Sequence, residues 1–175
     1  MRFERLVSEK HEMYKKALEL YRISFPSHEQ REEASQSKIL NDGEYHFTLV
    51  YDADVFVGLV LYWETQEFIY VEHFCILPEM RNKKFGQKAL ELLGKSGKAV
   101  ILEIDPPKDD ISVRRKGFYE RCGFVENSYP HVHLPYHQNN VGHNLVIMSF
   151  PDRITQNEYD LFKYHLDYRV MENVF

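Results

Sequence analysis

With 175 residues, 43% of them hydrophobic, the chain is long enough for a single domain with a buried core. A formal net charge of −5 argues against wholesale nucleic-acid binding and suits a cationic partner. No apolar run approaches the roughly 20 residues that span a bilayer, so no membrane association is expected, and the two cysteines, Cys75 and Cys122, read as reduced thiols of a cytoplasmic protein without a signal peptide.

Arg2 to Val7 roughly alternates and predicts a short first strand. Ser8 then caps a helix expected over 9–24, whose apolar positions Met13, Ala17, Leu18, Tyr21 and Ile23 fall mostly on one face, until Phe25-Pro26 breaks the pattern. A second helix is expected at about 28–40. After the turn Asn41-Asp42-Gly43, the β-rich runs 45–51 and 55–63 flank Asp52-Ala53-Asp54 and predict a hairpin. The next strand, 68–77, stops at Pro78 and a basic loop follows; Ala89, Leu90, Leu92 and Leu93 then recur at helical spacing as far as Gly94. Residues 98–104 are nearly continuous apolar sequence, as in a central strand, and Glu103 is the one carboxylate within it. Asp109-Asp110 supplies the N-cap of a helix that Gly123 ends. Two last strands are expected at 124–134 and 144–150. Residues 151–175 then form a helical extension, with a helix over 155–171 packed on its own domain; its aromatic residues leave a homodimer contact as the minority reading, so monomer and homodimer both stay open.

The basic loop carries the first functional signal. A helix that opens after it presents unpaired N–H groups and a positive dipole end, and Arg81, Lys83 and Lys84 crowd the same turn, so a phosphorylated ligand is expected there. A solvated basic turn is the bland alternative. Gly94-Lys95-Ser96 is not a nucleotide P-loop, because Ala89 stands where that pattern needs a glycine and a helix, not a strand, leads in.

A second stretch joins the first. Arg81-Asn82-Lys83-Lys84-Phe85-Gly86, read with Tyr119-Glu120-Arg121-Cys122-Gly123-Phe124, resembles two motifs of the GNAT family of acetyl-CoA-dependent N-acetyltransferases: a pyrophosphate loop of the form Arg/Gln-x-x-Gly-x-Gly/Ala, and a helix ending in Tyr-Glu-Lys-x-Gly-Phe. The resemblance spans about residues 1–150. It implies an α/β (α+β) GNAT fold, with a mixed central sheet of six or seven strands flanked by helices, and acetyl-CoA as cosubstrate. Acetyl-CoA would lie along Cys75, Ile76 and Leu77 and the loop residues Arg81, Asn82, Lys83, Lys84, Phe85, Gly86 and Gln87. Lys84 stands where the family usually has its first glycine, and the loop is expected to keep a conformation that lysine tolerates while gaining a charge near phosphate.

The implied reaction is direct attack of a primary amine on the acetyl thioester. The acceptor is left open among small molecules, polyamines and peptide N-termini. By family position, Tyr119 would protonate the leaving thiolate and Glu72 or Glu103 would be the base, either raised in pKa by burial or acting through a water; the strand ending near Ile76, splayed from its neighbour, would supply N–H groups to the oxyanion. The 24–31 junction resembles one wall of the acceptor site, which adds Phe25. A late segment, His133 and Tyr136 with Tyr129, is expected to line the substrate. His131 and His133, alternate residues on a strand, could share a metal, but the spacing is permissive and none is expected. The alternative function is a degenerate GNAT-fold module that binds CoA or a protein without turnover, favoured only by Lys84.

Overall fold

The computed structural model describes residues 1–172, 174 and 175. Seven strands form one sheet in the order β1-β2-β3-β4-β5-β9-β6: β1 (Arg2–Leu6), β2 (Tyr45–Asp52), β3 (Val55–Glu64), β4 (Phe68–Ile76), β5 (Ala99–Ile104), β6 (Val125–Asn127) and β9 (Val146–Phe150). Every neighbouring pair is antiparallel except β4 and β5, which are joined by the crossover helix α3 (Phe85–Gly94). On one face, α1 (Tyr14–Ser24), α2 (Glu33–Ile39) and α5 (Gln156–His165) cover Phe47, Trp63 and Tyr70 with Tyr21, Ile39 and Phe162. On the other, α3 and α4 (Asp110–Arg121) cover Val60, Val71 and Met148 with Leu90, Leu93 and Tyr119. The expected mixed sheet is present with seven strands.

β4 is not a regular strand. Leu61 pairs with His73 and Tyr62 with Val71, so Glu72 is an extra residue and the strand bulges. Ile69, Val71 and Phe74 belong to the α3/α4 side, and Tyr70 and Cys75 to the other. The bulge lets two consecutive polar residues, Glu72 and His73, both turn toward the α1/α2 side, where Glu72 meets Trp63 and His73 meets Tyr21 and Phe25.

Several boundaries differ from the sequence reading. α1 begins at Tyr14 with no side-chain cap, because Ser8 instead organises a turn, accepting at Oγ from the Lys10 N–H and at its carbonyl from His11 N–H. The expected helix at 28–40 is broken: a single 3₁₀ turn, Ser27–Glu29, leads into extended residues, and α2 starts only at Glu33. Arg31 is the reason, since its N–H donates to the Tyr21 hydroxyl and its side chain runs into the core rather than along a helix. The strand expected at 124–134 pairs with β9 only through Asn127; Pro130 has no N–H for a ladder, and a separate two-stranded ribbon follows, β7 (Val132–His133) with β8 (His143–Asn144). After β9, Thr155 and Glu158 form a capping box at the start of α5, and Leu166–Val170 continues it as one π-helical turn.

The Arg31 Nε donates to Glu72 Oε1 at 2.9 Å, with both side chains fully buried, and Nη2, also 2.9 Å from that oxygen, donates to the Val170 carbonyl. Glu72 also accepts from Trp63 Nε1 and Tyr136 Oη, each at 2.9 Å. Replacing Arg31 by Met should therefore strand a buried carboxylate and cost about 3–5 kcal/mol, read as a lower urea midpoint. A loss below about 1 kcal/mol would show that the pair is not structural.

Candidate active site

β4 and β5 are paired only from Phe68/Ala99 to Val71/Leu102, although β4 continues to Ile76 and β5 to Ile104. The two strands part at that point, and a cleft of about 1320 Å³ opens between them. Of the residues named from sequence, Phe25, Glu72, Cys75, Ile76, Arg81, Asn82, Lys84, Phe85, Gly86, Gln87, Glu103, Tyr119, His133 and Tyr136 all line it. Leu77 and Lys83 do not. Leu77 packs at the edge of the core, and its N–H bonds the Val57 carbonyl; Lys83 is exposed, 3.7 Å from Met80 Sδ. Tyr129 also lies elsewhere, stacked on Tyr159 at 4.2 Å with its hydroxyl on the Ile154 carbonyl.

At one end, the loop 81–84 feeds the first turn of α3. Lys84 has φ +63°, the left-handed conformation a glycine would take, so the expectation that the loop would avoid it is overturned. Asn82 is left-handed too, at φ +62°. Holding lysine there costs about 1 kcal/mol, a strain the rest of the loop and α3 must over-determine. Gly86 is needed for a different reason: a Cβ on it would lie 3.1 Å from the Phe118 ring, so the helix start sits close against α4. Arg81 reaches back, its Nε donating to the Ile76 carbonyl at 3.3 Å. From α4, Arg114, Arg115 and Arg121 add cationic lining, so this cleft presents free helix N–H groups and guanidiniums together.

Tyr119 lies on α4 within the cleft wall, and burial pushes its phenol up to about 12. It therefore stays protonated through the neutral range. Burial likewise pushes up the Cys75 thiol on the opposite wall.

The far end is built around Glu103. Its carboxylate accepts from the Tyr70 hydroxyl and contacts His131 Nε2, while His133 Nε2 lies 3.7 Å away. His133 Nδ1 faces the Leu134 carbonyl, which fixes the proton on that nitrogen and leaves Nε2 for the cleft. The alternation of His131 and His133 thus does bring them to one face, but their shared partner is a carboxylate. Among the described residues no three His, Cys, Asp or Glu side chains are arranged to hold a metal ion.

Neither glutamate has the raised pKa expected of it. Burial pushes the Glu103 carboxyl up, but His133, His131 and Tyr70 outweigh it; burial acts likewise on Glu72, where Arg31, His73, Trp63 and Tyr136 outweigh it. Both are held ionised. They differ in freedom, since Glu72 is neutralised by Arg31 whereas Glu103 has no lysine or arginine partner among the described residues. The sequence reading missed Arg31, Tyr70, His73 and, as a Glu103 partner, His131. Only the Glu72-His73 pair left a signal, two polar residues in succession within an otherwise apolar strand.

The Acetyltransferase (GNAT) family profile matches residues 10–124. The chain belongs to the GNAT family of acetyltransferases. A GNAT-family acetyltransferase from Bacteroides thetaiotaomicron is similar over 98% of both chains, with a TM-score of 0.91 and 28% identity. Two more distant GNAT-fold structures carry the cosubstrate or a mimic of it. A Bacillus subtilis acetyltransferase solved with CoA has a TM-score of 0.56 and 14% identity, covering 87% of this chain and 99% of that one. Arabidopsis thaliana Naa50, solved with the bisubstrate analogue CoA-Ac-MVNAL, has a TM-score of 0.60 and 15% identity, covering 85% and 96%. No curated protein matches the chain. Among the described residues no helix is long and apolar enough to cross a membrane.

Because this GNAT enzyme depresses both carboxyls, each contributes stability that is complete above the unfolded value of about 4.3 and is lost as pH falls through the lower folded value. Urea midpoints measured between about pH 6 and pH 3 should fall steeply below about pH 4.3, and Glu103→Gln should flatten that fall. An unchanged slope in Glu103→Gln would remove Glu103 from the acid response. At the other end of the cleft, Gly86→Val should weaken CoA binding at least tenfold in calorimetry, and Arg81→Ala should do less, because steric exclusion beside Phe118 outranks one exposed charge.

Proposed function

We propose that this GNAT acetyltransferase carries the acetyl group of acetyl-CoA to a primary amine by direct attack, with Tyr119 as the acid and Glu103 with His133 as the proton-accepting unit. The observation that carries the reading is that the parted strands line one cleft with the basic start of α3, the Tyr119 phenol, and a carboxylate that has no lysine or arginine partner among the described residues. The loop 81–86 and the N-terminus of α3 would hold the pyrophosphate. The unpaired edge of β4 beyond Val71 leaves backbone groups free for the pantetheine arm and for the oxyanion.

Proton transfers follow from the residues. The amine must lose a proton as it attacks, and His133 Nε2 faces the cleft beside an ionised Glu103 that stabilises the cation formed on the ring. Glu72 is the weaker candidate because Arg31, Trp63 and Tyr136 already occupy its oxygens. At the leaving group, a phenol near 12 against a thiol of about 8.5 makes complete transfer uphill by about 3.5 units, roughly 5 kcal/mol. The same burial that raises Tyr119 raises the Cys75 thiol on the facing wall, so a CoA sulfur departing there would also be more basic than in water, which narrows the gap. Transfer concerted with cleavage of the C–S bond narrows it further.

The alternative of a CoA-binding module without turnover loses its argument, because Lys84 takes the glycine-like conformation and leaves the loop geometry undistorted. The test is Tyr119→Phe: turnover should fall by about 10²- to 10⁴-fold while the acetyl-CoA dissociation constant and the melting temperature stay close to wild type. A folded variant with wild-type turnover would remove Tyr119 from the chemistry.

A further inference from the structure

The acceptor end of the cleft has two lips. One is the α1–α2 connector, with Phe25, Pro26, His28 and Glu29 on the cleft; the other is the β7–β8 ribbon and its loop, with His133, Tyr136 and His143. The lips touch. His137 Nε2 lies 2.8 Å from the Ser27 carbonyl and its Nδ1 3.6 Å from Glu32, and the His28 and His143 rings lie 5.3 Å apart, tilted by 31°. The loop is also pinned at its base, because Val132 pairs with Asn144 and His133 with His143, and a Cβ on Gly142 would sit 2.8 Å from the His133 carbonyl oxygen. Two tied segments bridge the end where a polypeptide would have to thread.

What lines the space under that bridge accepts hydrogen bonds and carries negative charge. Of the four carboxylates on the cleft, Glu72 is paired with Arg31 and Asp105 with Arg115 at 2.6 Å. Glu103 and Glu29 have no lysine or arginine partner among the described residues; Glu29 has only His28, at 3.6 Å. His73, 5% exposed, also lines the cleft. Its Nε2 faces the Glu29 carbonyl at 2.9 Å, which assigns the N–H to that nitrogen, and its buried Nδ1 then has no partner among the described residues. A ligand with two positive charges meets both of these carboxylates.

We propose that the acceptor is a small diamine-type molecule, one amino group reacting at Glu103 and His133 while the second ammonium is held at Glu29, and that polypeptide amines are excluded by the joined lips. This rests on the transferase reading above. In the step itself, the reacting nitrogen, neutral after its ammonium proton has left to water, forms a C–N bond to the acetyl carbon and the C–S bond breaks; the nitrogen's next proton passes to His133, the Tyr119 proton ends on the CoA sulfur, and Tyr119 regains a proton from solvent as His133 releases its own.

Binding tests it without requiring turnover. CoA would be linked through its sulfur and an acetyl bridge to 1,4-diaminobutane, to butylamine, or to the N-terminus of a pentapeptide, and each conjugate titrated into wild-type protein and Glu29→Gln by calorimetry. The diamine conjugate should bind about tenfold tighter than the butylamine conjugate, the peptide conjugate no tighter than CoA, and Glu29→Gln should erase the diamine advantage. Glu29 is half-buried at the cleft mouth, so this variant should fold, which its melting temperature checks. A peptide conjugate that matches the diamine conjugate, or diamine and butylamine conjugates that bind alike, would overturn the proposal and leave the transferase reading standing. Failure of CoA itself to bind would overturn both.

Discussion

The buried pair between Arg31 and Glu72 is the constraint on which the acceptor half of the molecule depends. Taking two charges out of water costs several kcal/mol per ion, and the attraction between them offsets that only if their remaining donors and acceptors are met. Here they are met by parts of the chain far apart in sequence: Trp63 on β3, Tyr136 in the late loop, and the Val170 carbonyl in the turn after α5. The pair therefore fixes the path of the α1–α2 connector, the aim of the β4 bulge and the seat of the C-terminal residues at once. Phe25, His73 and Tyr136, which line the cleft, are each one contact away from it.

A second constraint is the early end of the β4–β5 ladder. Parallel strands that stay paired would bury Glu103 with nothing but backbone around it; because these part after Val71 and Leu102, the carboxylate reaches a cleft and two imidazoles reach the carboxylate. Charge is segregated over that cleft, with guanidiniums from α4 and the loop before α3 at one end and, among the described residues, carboxylates without a lysine or arginine partner at the other. The chain's net charge of −5 expresses neither, since it averages the two.

Elements whose cause is local could be read from the residues. The hairpin around Asp52-Ala53-Asp54, the strand-loop-helix at 68–94 and the Asp109 cap all carry their signals within a few residues, and each is present. The two family motifs picked out residues that line one cleft for the same reason. The break between residues 28 and 33 was hidden, because Arg31 leaves the helical pattern for a partner 41 residues away, and no local propensity encodes that. The pKa directions of Glu72 and Glu103 were misjudged on the same ground: burial was legible in the strand pattern, the partners that oppose it were not. Lys84 misled in the other direction. Its identity suggested an altered loop, whereas the surrounding geometry imposes the glycine-like φ regardless of the side chain.

Glu103 has one further consequence. A carboxylate with no permanent cation favours whatever positive charge enters, and under the proposed chemistry the enzyme consumes that charge: an ammonium goes in and a neutral amide comes out. The pocket's strongest attraction is thus for the substrate and not for the product, so acetylation weakens the hold on its own result. The Glu103 end of the cleft thus releases its half of the product without a moving lid, while a second ammonium at Glu29 keeps the attraction it had before the reaction.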